Sequence, residues 1–397
     1  MAARLAATPE IAERDGHALA GFLDAEAHFS IGRNNGGRNW RCSVSVRLRD
    51  DDAPVLAEFR RVTGVGTLVA VPARGGSKPQ CEWKVTSGLE CLRLADLLER
   101  FPMYGRKRLE VNDWIRAVRA LETRDPDVDV ADLARSIRDR RRYREPKADP
   151  HPPEDQPGLL WYLGGFFTGE GSFALSRQQA RAVVKVRRDD RPLLAGFASI
   201  TGLGKVYDIK PSGSQSPSAA WIVLRHGELR PAVELLEAAH LRGRKRRELR
   251  VWRGGAEEFA DAHAAGRPRD GERIDVAAAA LREVRRYAQR HPLPADELAS
   301  TAESVYIGVL REWAAAEPGK LACTAYTRAR RSKPHWPQRE TLVRTFGSWA
   351  GALRAAGLAG RTTARSQRAC SASIPTTAAS TRRRSSVRCG SPERSMS

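Results

Sequence analysis

Two glutamates set the chemistry open to this chain. Glu26 closes the run LAGFLDAEA (Leu19 to Ala27), and Glu170 closes LGGFFTGEG (Leu163 to Gly171). Each run reads Leu-small-Gly-Phe and ends in a Glu flanked by small residues. Two carboxylates brought together repel, and each would also face the negative end of its own helix. A divalent cation between them relieves both penalties, and an all-oxygen donor set selects a hard ion, Mg2+ or Mn2+. Such an ion activates water and stabilises a leaving oxygen at phosphate. Lys107 and Lys245, in the repeated Gly-Arg-Lys-Arg, add a cation at a matching place in each copy.

The residues before the acids say how they could meet. Gly21 and Ala25 share one helix face at i and i+4, as do Gly165 and Gly169, and Ala20 and Gly164 add further small side chains. Two such helices can pack backbone against backbone around a pseudo-twofold axis, which sets Glu26 and Glu170 side by side.

More than the motif is duplicated. Gly64 and Gly202, Trp83 and Trp221, Lys107 and Lys245, and Trp114 and Trp252 are each 138 residues apart, while the glutamates are 144 apart. One six-residue deletion between Glu170 and Asp189, relative to Glu26 and Asp51, restores the register. It falls where alternating stretches with an Asn34 to Gly37 turn read as a hairpin. Each copy reads as αββαββα, with Asp50-Asp51-Asp52 supplying N-cap chemistry to the second helix. The fold class is α+β: a first unit over 15–121, a charged, proline-rich linker over 122–157 and a second unit over 158–255. The four tryptophans read as core.

Composition bounds the partner. Lys and Arg number 68 against 47 Asp and Glu, a net charge of +21; the tail 361–397, with eight Arg and one Glu, leaves +14 on residues 1–360. A basic surface of that size favours a polyanion through counterion release. No stretch approaches the ~20 apolar residues of a membrane span, and no export signal is visible. The six cysteines form no C-x-x-C pair, which argues against a zinc module and for a reducing cytoplasm.

The first hairpin of each copy is rich in groups that read base edges. Arg33, Asn35, Arg38, Arg41 and Arg47 in the first, and Arg177, Gln178, Arg181, Lys185 and Arg187 in the second, suit a β-ribbon in the major groove. Any one of them alone reads as a solvated strand residue. The unequal hairpins predict an asymmetric double-stranded DNA target.

The paired motifs, with matched TGxG and GRK landmarks, resemble the LAGLIDADG homing endonucleases in their two-repeat, single-chain form, over roughly residues 15–255. The resemblance implies a saddle of antiparallel sheets on DNA, acting as a monomer, with the last acid of each motif, Glu26 and Glu170, binding the metal for double-strand cleavage. It also implies a lysine beside the site that polarises the attacking water or the phosphate, a role carried to Lys107 and Lys245 beside plain phosphate gripping. The position after each acid holds Gly171 in the second copy and Ala27 in the first, where a terminating residue with φ > 0 would be strained. A non-cleaving nucleic-acid binder on the same scaffold, an RNA maturase or a DNA-binding regulator, is the rival; retention of Glu at both motif ends favours the nuclease.

Beyond a helical connector over 256–303, residues 304–360 carry Leu310, Trp313, Tyr326, Trp336-Pro337 and FGSW (Phe346 to Trp349). This is similar to the helical repeat found beside homing endonucleases, and it implies accessory DNA contact through Arg328, Arg330, Arg331 and Lys333. Residues 271–290 read as a degenerate earlier copy. The Ser/Thr/Arg-rich tail 361–397 reads as disordered.

Overall fold

The structure is a computed structural model that describes residues 10–34, 39–143, 156–211, 216–287, 301–317, 319–333 and 336–361. Asn35, Arg38 and the tail from 362 onward lie outside the described residues.

The first unit begins with α1 (Glu13–Glu26), whose first turn carries Glu13 and Asp15 against the positive helix end. The hairpin β1 (His28–Asn34) and β2 (Asn39–Arg49) follows, then α2 (Ala53–Thr63), β3 (Thr67–Val71), β4 (Gln80–Val85), α3 (Gly88–Arg100), α4 (Lys107–Thr123) and α5 (Val130–Arg140). The second unit repeats this order as α6 (Gln156–Glu170), β5 (Gly171–Leu175), β6 (Ala180–Arg187), α7 (Arg191–Thr201), β7 (Lys205–Ile209), β8 (Ser218–Val223), α8 (His226–Ala238), α9 (Gly243–Ala264) and α10 (Gly271–Arg285). The two antiparallel sheets have the same order, β1-β2-β4-β3 and β5-β6-β8-β7.

Local chemistry repeats with the topology. Both α2 and α7 start on a proline in the first turn and stop at a glycine with φ 65°, Gly64 and Gly202, where a side chain would be strained. Alternation turns Cys42, Val44 and Val46 of β2, and Ala180, Ala182 and Val184 of β6, toward the helices. There Trp83 and Trp114 fill the first core and Trp221 and Trp252 the second, all fully buried. The other face of each sheet presents polar and charged side chains, among them Arg41, Ser43, Ser45 and Arg47 in the first and Arg181 and Lys185 in the second.

The hairpins differ as the deletion requires. His28 pairs with Ser45 and Asn34 with Asn39, seven rungs; from the equivalent Ser172–Val183 pair to Leu175–Ala180 there are only four. At ~3.3 Å per residue the second ribbon is shorter by about 10 Å.

Two boundaries differ from the reading of the sequence. Within the expected linker, α5 packs on β1 and α4, with Ile137 and Leu133 in the first core. Its counterpart is α10, which buries Ile274 and Leu281 in the second core rather than forming an early copy of the C-terminal repeat. Each starts at an aspartate N-cap, Asp129 or Asp270, that accepts from two backbone N–H groups of the first turn. Since α9 runs unbroken through residue 255, the second unit extends to the end of α10.

After α10 comes a helical module: α11 (Thr301–Ala316), α12 (Cys323–Ala329), α13 (Arg339–Phe346) and α14 (Trp349–Ala355). Trp313, Tyr326, Trp336 and Trp349 form its core, with Tyr326 5.2 Å from Trp313 and 5.3 Å from Trp349 between ring centres. No described helix is long and apolar enough to cross a membrane.

Candidate active site and nucleic-acid interface

The site is built where α1 and α6 cross. A methyl placed on Gly21 would lie 2.0 Å from the Tyr162 carbonyl oxygen, and one on Gly165 would lie 1.9 Å from that of Ala18. The two contacts are images of each other, so the helices meet backbone to backbone about a pseudo-twofold axis. One step nearer the C-termini, Gly169 faces Ala25 at 2.6 Å and the Glu26 Oε1 at 3.3 Å by the same construction. Glu26 thus lies over the last turn of α6, next to Glu170.

Small residues at 20 and 164 act differently from their neighbours. Gly164 faces the Ala239 carbonyl beyond α8, at 1.9 Å from an added methyl, so it closes the second unit rather than the crossing. Ala20 is fully buried in the core that also holds Leu97 and Phe101.

The carboxylates are electrostatically costly, as their pairing predicts. Glu26 is half-buried, and burial raises its carboxyl above the ordinary range although Lys107 and Lys245 oppose the shift. Glu170 keeps one side open to solvent, yet the protein packed around its carboxyl and the charge of Glu26 push it up to about 7. Asp24, two residues before Glu26, is buried away from the opening and raised by burial; its Oδ2 accepts from the Gly105 N–H at 2.7 Å and from the Tyr162 hydroxyl. In the second unit Thr168 takes that place, with Oγ1 accepting from the Arg242 N–H at 3.1 Å. Both residues tie the motif helix to the segment just before the lysine-bearing helix, α4 or α9, and neither faces the glutamate pair.

The lysines sit at the start of α4 and α9. Lys107 Nζ donates to the carbonyls of Leu23, at 3.2 Å, and Ala25, at 3.1 Å, and so caps the negative end of α1 beside Glu26. Burial lowers its pKa, against the pull of Asp24 and Glu110. Lys245, also lowered by burial, lies 3.6 Å from Glu248 on its own helix. Hence only the first unit uses its lysine as a cap.

Asp52 departs from its expected role. It stands at the N-cap position of α2 but makes no side-chain cap there. Its carboxylate instead reaches Arg244 of the second unit at 3.0 Å, while Asp190 accepts from the Arg106 N–H of the first unit at 2.5 Å. Each unit's aspartate turn therefore holds the start of the other unit's lysine-bearing helix. The motif also needs no left-handed residue after the acid: Ala27 is extended, with φ −76°, and is unstrained. Glycine at 171 serves space, since a methyl there would sit 2.1 Å from the Phe167 ring.

A second layer of arginines escaped the reading of the sequence. Arg141 after α5 donates to Glu110 at 2.9 Å and to the Phe29 carbonyl; Arg285 of α10 donates to Glu248 at 3.1 Å and to the Phe173 carbonyl at 2.5 Å. Across the units, Arg187 donates to the Arg141 carbonyl at 2.7 Å and Arg49 to the Arg285 carbonyl at 3.4 Å. Only the 144-residue offset of Arg141 and Arg285 could have exposed the pair.

The proposed base readers divide by strand parity. Arg41 and Arg47 point to the open face of the first sheet, with Ser43 and Ser45; Arg181 and Lys185 do so in the second. Arg47 also pairs with Glu82 at 3.2 Å, and Arg41 donates to the Thr86 carbonyl at 3.0 Å. Arg187 shares that parity but is bound to Asp189 through two hydrogen bonds, so it organises the site instead of reading bases. Arg33 falls on the core-side parity and stacks on Trp40 at 4.5 Å. Arg177 and Gln178 lie exposed at the second hairpin's tip, where Arg177 pairs with Asp275 at 2.5 Å. Lys84 of β4, Thr67 of β3 and Lys205 and Tyr207 of β7 complete the open faces and were missed because short strands of mixed polarity carry little pattern.

Residues 19–118, the greater part of the first unit, match the LAGLIDADG endonuclease family. The chain is similar in structure to the LAGLIDADG homing endonuclease I-GzeII in complex with DNA target, with TM-score 0.52 and 16% identity over 68% of this chain and 97% of that one. It is similar also to the meganuclease I-SmaMI bound to uncleaveable DNA, with TM-score 0.53 and 16% identity over 68% of this chain and 98% of that one. No curated protein matches the chain by sequence. The fold is that of the two-unit LAGLIDADG homing endonucleases, and the α1–α6 crossing is its centre.

Proposed function

We propose that the chain is a metal-dependent, site-specific endonuclease that cuts both strands of a long, asymmetric DNA duplex and acts as a monomer. The observation that carries this reading is the convergence of Glu26 and Glu170 at one end of the α1–α6 crossing, between two open strand faces.

Among the described residues no cluster of three or more His, Cys, Asp or Glu could hold a metal by itself. Two crowded carboxylates suit Mg2+ or Mn2+, which commonly take one or two carboxylates and fill the remaining positions with phosphate oxygens and water. Glu26 and Glu170 would hold the ion, and its binding would draw both into the ionised state. Once bound it supplies Lewis-acid stabilisation at phosphate and a more acidic water. The chain's own residues do the rest. Lys107 and Lys245 add positive charge beside the scissile phosphates, and Asp24 and Thr168 fix the ends of the motif helices. Arg41, Arg47, Arg181 and Lys185 grip and read the duplex.

The test is cleavage of a randomised duplex library in Mg2+ by the wild type and by Glu26→Gln and Glu170→Gln. Double-strand breaks at a defined sequence, lost in both variants, are expected. Tight binding of a defined duplex without any cutting would replace this reading with the non-cleaving binder.

A further inference from the structure

The two open sheet faces use the same positions for different chemistry. In the first sheet one cross-strand row reads Ser45–Lys84–Thr67 and the next Arg47–Glu82–Val69. The equivalent rows of the second, each residue 138 further along, read Val183–Ile222–Lys205 and Lys185–Ala220–Tyr207. A serine, a lysine and a glutamate of the first face thus become valine, isoleucine and alanine in the second. Each of those exchanges removes a group that makes hydrogen bonds.

Val183, Ile222, Ala220 and Tyr207 form one continuous patch. Cross-strand neighbours on one face stand about 5 Å apart and diagonal ones about 7–8 Å. Their parity is opposite to that of Ala182, Val184 and Trp221, which fill the second core, and none of the four is among the residues of that core. Val183 and Ile222 are half-buried, and Tyr207 is 48% exposed. Single apolar residues are common on surfaces, but a contiguous patch on a binding face marks what the face binds. Arg181, Lys185 and Lys205 lie on the same face around it. An apolar floor rimmed by cations matches a groove with phosphate walls. The one apolar group that a base pair shows in the major groove is the C5-methyl of thymine.

We propose that the second sheet reads its half-site through thymine methyls packed on Val183, Ile222 and Tyr207, where the first sheet uses hydrogen-bonding groups. The proposal rests on the reading of the chain as a sequence-specific DNA binder. The two half-sites then differ in the kind of contact that reads them, and not only in length.

The test uses the full chain and a duplex selected by the wild type from a random library. Thymines of one half-site at a time are replaced by deoxyuridine, which removes the methyl and keeps the base-pairing edge. Affinity should fall about fourfold for each methyl read, in one half-site only. The salt dependence should not change, since no phosphate contact is touched. The double variant Val183→Ser, Ile222→Ser should bind the thymine and deoxyuridine duplexes equally. Tyr207→Ser, at the most exposed of the four, should show part of the same loss even if the double variant melts early. A selected duplex whose deoxyuridine forms bind like the original, or lose affinity equally in both halves, would overturn methyl reading while leaving the DNA reading intact. So would self-association of the free chain that the double variant abolishes, because the patch would then face a second copy. Failure of the wild type to select any duplex would overturn both readings.

Discussion

Asp190 of the second unit accepts a hydrogen bond from the Arg106 N–H of the first at 2.5 Å, and the image pair, Asp52 and Arg244, meets at 3.0 Å. Lys107 and Lys245 each follow one of these arginines by one residue, so the exchange fixes both lysines relative to the glutamates. Asp190→Ala leaves a backbone donor without its acceptor and should cost about 1–3 kcal/mol. A lowered urea midpoint would show it, with Asp190→Asn, which keeps an acceptor, closer to wild type. Equal midpoints for wild type and the alanine variant would refute the clasp.

The crossing itself predicts a sharp contrast among glycines. Gly165→Ala sets a methyl 1.9 Å from the Ala18 carbonyl and Gly21→Ala one 2.0 Å from that of Tyr162, so backbone must move. Each should destabilise by about 1–3 kcal/mol, as overpacking does. Gly32→Ala, with nothing within 4 Å of the new methyl, should be neutral. Thermal melts of the three variants check the ordering.

Stability should fall as pH rises through the range in which two crowded acids of the site ionise. Glu170 is raised to about 7 from an ordinary 4.5, and Asp190 to about 6 from 3.8. Between the ordinary and the raised values the folded chain binds more protons than the unfolded one, so these groups stabilise it below the ordinary value and lose that contribution as pH climbs to the raised one. Without divalent ions the urea midpoint should therefore decline from about pH 4.5 to pH 7 relative to Glu170→Gln. Added Mg2+ should flatten the decline in the wild type only. A wild type and variant running parallel across that range would contradict the crowding of Glu170.

The two lysines should not be equivalent. Lys107→Met removes a cap from two α1 carbonyls as well as a charge at the site, so it should lower stability by about 1 kcal/mol together with activity. Lys245→Met removes a charge at the site and a 3.6 Å contact with Glu248 on its own helix, but no cap. Its melting point should stay near wild type while cleavage drops. Nicking assays and thermal melts on the same samples separate the two.

The constant offsets exposed the duplication, the αββαββα order and the pairing of the glutamates, because a repeated backbone conserves spacing. What stayed hidden is which partner each charged side chain takes. Asp52 carries an N-cap pattern that its own helix does not use, since Arg244 competes for the carboxylate. Arg187 alternates like a base reader, yet Asp189 two residues on takes it in a bidentate pair. The membership of α5 and α10 in the two units was masked by their position in charged, proline-flanked stretches. The burial of Leu133 and Ile137, and of Ile274 and Leu281, assigns them to cores.

The reciprocal exchange between aspartate turns and helix starts is an isologous contact, the kind two identical subunits make across a dyad. Here one chain supplies both sides, so the stretch between α5 and α6 acts as a tether that raises the effective concentration of one half for the other. A half taken from this protein would meet a foreign half at two charged clasps as well as at a glycine seam. Chimaeras should work only where the new half brings its own Asp at the turn and a donor before its lysine. Recombining specificities is thus a problem of matching the dyad before it is one of choosing strand residues.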